Sequence, residues 1–127
     1  MSKVLNIIPP KVIYIQNGIS FYSQGILHIK IYADVTKTLF LALHELRHYY
    51  QECYIKSCKN DLTKLIEYEM NYYHELNYKD LFIEIDAYAF AYYVMLHFIH
   101  IDYKPSFDVI EMIFKIEKDF SLIYNYN

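Results

Sequence analysis

Residues 43–48 read Leu43-His44-Glu45-Leu46-Arg47-His48, two histidines four positions apart with a glutamate directly after the first. On a helix that interval sets His44 and His48 on one face, one turn apart, so that both imidazoles can reach a single metal ion at about 2 Å. Glu45 lies about 100° around the helix from His44. It therefore faces solvent held at the ion rather than the ion itself, the placement of a general base. In a chain with 6 His and 8 Glu, chance produces HExxH with a probability of about 2%. That favours a metal site over a helix that merely carries two histidines.

A catalytic zinc site takes three protein ligands and leaves its fourth position open. None of the other histidines (His28, His74, His97, His100) stands at the short downstream interval of an HExxHxxGxxH pattern, and Tyr50 and Gln51 follow the motif without a glycine. The third ligand is then expected from a separate segment, Glu84-Ile85-Asp86-Ala87-Tyr88-Ala89-Phe90-Ala91. Carboxylates in so apolar a stretch are costly unless paired, hydrogen-bonded or bound to a cation. Glu84 and Asp86 stand about 200° apart on a helix, so one of them, not both, serves a given ion. Arg47 is the one arginine of the chain. It either forks onto a carboxylate, Asp86 or Glu52, or remains a solvated residue of its own helix.

These side chains need helices to aim them. Val35, Leu39, Leu43, Leu46 and Tyr50 recur three or four apart, which predicts a helix capped by Asp34 or Thr36 and running to about residue 54. Further helices are expected over 62–76, over 81–100 with Asp80 as cap, and from Pro105 through about Phe120 with Asp108 and Glu111 as a capping box. The last of these is apolar enough to cover its own core. Residues 11–16 and 26–32 alternate as strands, and residues 20–23 fit a short strand between them, in an antiparallel meander. Strands first and helices after indicate an α+β class, with about four helices packed on a small antiparallel N-terminal sheet.

With 127 residues, one domain spanning 1–127 is expected. A 55% apolar and 21% charged composition supports a buried core. A net charge of −3, with the basic residues scattered, argues against a nucleic-acid partner. Cys53 and Cys58 lack CxxC spacing and read as reduced structural thiols. The N-terminus has no signal-peptide pattern, and the longest apolar stretch, residues 87–99, is too short to span a bilayer. A cytoplasmic location without membrane contact is the expectation.

HELRH followed by EIDAYAFA resembles the gluzincin branch of HExxH metallopeptidases, most closely the ImmA/IrrE-like peptidases and related small proteins of phages and mobile elements, whose second motif reads approximately ExxA(N/D)xFA. The similarity covers residues 39–90 and lies in the two motifs. It implies a minimal zincin-like fold and a Zn2+ ion held by His44, His48 and Glu84, with Glu45 as general base toward a zinc-activated water that hydrolyses a peptide bond in an intracellular protein. In that alignment Asp86 orients a ligand or its helix. Tyr88 stands where the family has Asn or Asp, and residues 55–80 form an insertion between the motifs. Tyr50, Tyr88 and Tyr92 are candidate oxyanion donors, and the strand at 26–32 is a candidate edge for an extended substrate. The competing functions are a catalytically inactive metal-binding domain and a metal-free protein-interaction domain.

Overall fold

The computed structural model describes residues 8–115. Three short strands come first, β1 (Lys11–Ile15), β2 (Phe21–Ser23) and β3 (Ile26–Lys30), followed by helices α1 (Val35–Ser57), α2 (Asp61–Asn71), α3 (Phe82–Val94) and α4 (Phe107–Lys115). The class is α+β.

The sheet is mixed rather than antiparallel. Its order is β1-β3-β2, with β2 antiparallel and β1 parallel to β3. The reason lies in β3, whose Leu27 and Ile29 are both buried, so that this strand takes the centre. Gln24 and Gly25, with φ of 50° and 80°, form the tight two-residue turn that returns β2 onto β3, because positive φ at both positions matches the twist of the paired strands. After two reversals β1 runs in the same direction as β3 and pairs on its other side. Residues 26–32 are thus not an edge. The edges are β1 and β2.

Asp34 caps α1, its side chain accepting from the N–H groups of Thr36 and Lys37. The helix runs three residues beyond the expected end, to Ser57. Its buried stripe is Phe40, His44, Arg47, Gln51 and Tyr54, rotated from the apolar line seen in the sequence; Val35, at the head of that line, is exposed. The rotation is possible because α3 answers the polar residues with Glu84 and Asp86, both buried.

A reciprocal Asn60–Thr63 capping box opens α2, which stops at Asn71 instead of reaching 76. Two 3-10 turns follow, Tyr73–Glu75 and Tyr78–Asp80. Asp80 does not cap α3. The carboxylate of Glu69, from α2, accepts from the N–H groups of Phe82 and Ile83 at 2.9 and 2.8 Å, while Asp80 pairs with Lys115 at 3.0 Å. Fixing the first turn of α3 in this way also fixes Glu84 within it.

Ala87, Ala89 and Ala91 are fully buried, and Phe40 packs with Ala91 and Met95. Beyond Val94 the helix widens into a π-helical turn, Met95–Ile99, ended by His100 at φ 64°. The continuous segment Phe82–Ile99, 18 residues with mean hydropathy 1.3, is long and apolar enough by length and composition to cross a membrane, and half of it is buried inside this fold. It exceeds the 13-residue run seen in the sequence because it takes in the five residues before that run, Glu84 and Asp86 among them.

In α4, Asp108 lies inside the first turn and pairs with Lys79 at 3.2 Å, so it is not a cap. Met112 and Ile113 are buried and Phe107 and Phe114 exposed; the expected continuation to Phe120 lies outside the described residues.

Candidate metal centre

His44 and His48 project from the buried side of α1 toward the first turn of α3. The two Nε2 atoms are 3.1 Å apart, and Glu84 Oε1 lies 3.0 Å from that of His44 and 3.3 Å from that of His48. Three ligand atoms on a tetrahedral ion at about 2.1 Å would be separated by about 3.4 Å, so a slight opening of this triangle accommodates one. Among the described residues, no group meets the buried Glu84 Oε1 in hydrogen-bond geometry, the condition of an atom whose natural partner is a cation. The other carboxylate oxygen, Oε2, accepts from the Tyr73 hydroxyl at 2.8 Å. That bond leaves Oε1 for the ion. His44, His48 and Glu84 therefore form a group that can hold a metal ion.

Electrostatics within the group follow from burial and mutual contact. Burial favours the neutral acid of Glu84, but contacts with His44 and His48 outweigh it and hold the carboxyl well below its usual range. His44 is pushed down to about 4, first by burial and then by the positive charge of His48, against the pull of Glu84. Burial also opposes charge on His48, yet contact with Glu84 and the nearby Glu45 bring it up to about 9. Glu45 is raised to about 7 by burial and by Glu84, partly offset by His48 and by a hydrogen bond from the Tyr22 backbone N–H. Its Oε2 lies 3.6 Å from His44 Nε2.

The site opens on a cleft of about 900 Å3 lined by His44, Glu45, His48 and Glu84 on one side and by β2 on another, with Tyr73, Tyr78 and Tyr88 between. Edge strand β2, not β3, faces the site, and the Tyr22 N–H directed at Glu45 belongs to its outer side.

Of the two carboxylates left open by the sequence, Glu84 converges on the histidines. Asp86 points away. Its two oxygens take the fork of Arg47, Nε to Oδ2 at 3.0 Å and Nη2 to Oδ1 at 3.3 Å, in a pair that is nearly inaccessible to solvent. Arg47 is thus no solvated residue, and Glu52 instead accepts from the Tyr22 hydroxyl at 2.9 Å. Among the candidate oxyanion donors, only Tyr88 lines the cleft. Its ring packs 4.0 Å from that of His44 and its hydroxyl pairs with that of Tyr78 at 2.8 Å. Tyr92 bonds Asp102, and Tyr50 packs on the Tyr54–Ile66 core. His28 stacks on Phe21 and His97 on Tyr93, both away from the triangle.

Sequence reasoning missed Tyr73, Tyr78, Glu69 and Gln51. Gln51 had a legible signal, because a residue three positions after His48 shares its helical face; its Oε1 lies 3.0 Å from His48 Nδ1. The two tyrosines sit on 3-10 turns with no periodicity to reveal them, in a chain with 16 tyrosines. No protein-family model matches the chain, and no curated protein or solved structure does so.

Proposed function

We propose that this protein is a zinc-dependent peptidase of the HExxH type, acting on a protein or peptide substrate. The observation that carries the reading is the convergence of His44, His48 and Glu84 at 3.0–3.3 Å with the carboxylate of Glu45 beside them at the mouth of an open cleft. The donor set of two imidazoles and one carboxylate suits zinc with an open coordination position. When bound there, zinc supplies Lewis acidity, lowering the pKa of water from about 16 to about 7 and polarising a carbonyl oxygen.

The chain's own residues supply the rest. Glu45, beside the histidines at the mouth of the cleft, is placed to accept a proton from water and return it to the departing amine. The paired hydroxyls of Tyr78 and Tyr88 are donors available to a developing oxyanion. The outer edge of β2 offers backbone groups to an extended peptide, which would add to the sheet as a further strand.

The test is elemental analysis and cleavage measured together. Wild type is expected to carry one zinc per chain and to cut a peptide library at defined bonds. His44→Ala/His48→Ala should lose the zinc, and Glu45→Gln should keep it and lose cleavage. Stoichiometric zinc with no cleavage by wild type would replace this reading by that of a metal-binding domain without catalysis. Absence of zinc would remove both.

A further inference from the structure

Gln51 is completely buried one turn beyond His48, and a buried amide must spend all its hydrogen-bonding groups. Its Nε2 donates to the carbonyl of Ile83 at 2.9 Å and to Asp86 Oδ2 at 2.8 Å. Both partners can only accept, which settles which end of the amide is nitrogen. The oxygen is therefore the end that meets His48 Nδ1 at 3.0 Å. An amide oxygen cannot donate, so Nδ1 must carry a proton, and the metal-facing atom of His48 is Nε2.

Asp86 makes this orientation obligatory. Its Oδ2 receives Arg47 Nε as well as the Gln51 amide, and the guanidinium fork prevents the carboxylate from turning. Arg47, His48 and Gln51 come from α1 and Asp86 from α3, so the relay forms only when the two helices are docked. Among the described residues the Nδ1 of His44 has no such acceptor, and its ring packs against that of Tyr88.

We propose that Gln51 is a positioning residue that commits His48 to metal binding through Nε2 by accepting its Nδ1 proton, and that the Arg47–Asp86 pair locks Gln51 in the orientation that does so. This rests on the reading of His44, His48 and Glu84 as a zinc site. Groups that orient a ligand histidine are worth about 10- to 100-fold in metal affinity.

The experiment measures zinc affinity by chelator competition, thermal melting of the metal-free chain, and the histidine 1H–15N spectrum of the zinc-loaded chain. In wild type, His48 should show a slowly exchanging Nδ1 proton; this reading requires no substitution. Gln51→Met, similar in volume but unable to accept, should lose about 10- to 100-fold in affinity and the protection of that proton. Gln51→Glu keeps an acceptor at Nδ1 but sets a carboxylate against Asp86 and the Ile83 carbonyl; it should melt lower than wild type while keeping the protected Nδ1 proton. A zinc-loaded wild type with the His48 proton on Nε2 would overturn the proposal, as would wild-type affinity in Gln51→Met or loss of the protected Nδ1 proton in a folded, zinc-loaded Gln51→Glu. In each of these wild type still binds zinc, so the metal reading stands. A wild type that binds none removes both.

Discussion

Replacing Glu45 by glutamine should stabilise the metal-free protein, and only above mildly acidic pH. Glu45 is 8% exposed and lies close to Glu84. Burial and that neighbour raise its pKa from 4.5 to about 7. At about 1.4 kcal/mol per pKa unit the displacement amounts to about 3 kcal/mol. For an acid whose folded-state pKa lies above its unfolded value, the folded chain holds the proton more tightly. Stability is then greatest below about 4.5, falls as pH rises through the interval to about 7, and is lower by the full amount above it. The amide of Glu45→Gln is neutral throughout and can still accept from the Tyr22 N–H. The stability gap between variant and wild type should therefore grow from under about 1 kcal/mol at pH 5 to about 3 kcal/mol at pH 8. Urea unfolding with a chelator present reads this directly, as a midpoint difference of about 1–3 M at pH 8. Saturating zinc should narrow the gap, since a cation offsets the carboxylate charge. A gap independent of pH, or a variant less stable than wild type at pH 8, would show that Glu45 is not held in the costly environment described.

Two further substitutions probe the supports of the site. Asp86→Ala removes the buried carboxylate that takes the Arg47 fork and one Gln51 donor; it should cost about 3–5 kcal/mol in urea unfolding, and a loss below about 1 kcal/mol would mean that the remaining contacts of Arg47 suffice for its charge. Tyr73→Phe removes the hydroxyl that holds Glu84 Oε2 and should lower zinc affinity by about tenfold or more while costing about 1 kcal/mol of metal-free stability, both measurable on the purified variant.

The helices and strands of the described residues were legible because their periodicities differ and because a capping residue such as Asp34 marks where α1 begins. Which face of α1 is buried was not legible from apolar spacing. The stripe of His44, Arg47 and Gln51 is interior only because α3 supplies complementary groups, a fact of pairing between segments about 40 residues apart. Strand order escaped for a related reason: alternation identifies β3 as half-buried but does not say which neighbours its edges acquire. The HExxH interval located both histidines, whereas the choice between Glu84 and Asp86 depended on the rotation of α3, which is set by Glu69 from α2. Tyr73 and Tyr78 enter the site from irregular turns, where no repeating pattern exists to be read.

The joint satisfaction of Arg47, Gln51 and Asp86 has a consequence for how such a chain can diverge. Each of the three meets Asp86 or is Asp86, so a change at one removes a buried bond of another and they drift as a set. Glu45 takes only the backbone N–H of Tyr22 at the open edge of β2, which water can take in its place, and its ionised form is a burden on the fold. A descendant released from hydrolysis would therefore shed Glu45 early while keeping the buried trio, and the two kinds of position would record different histories.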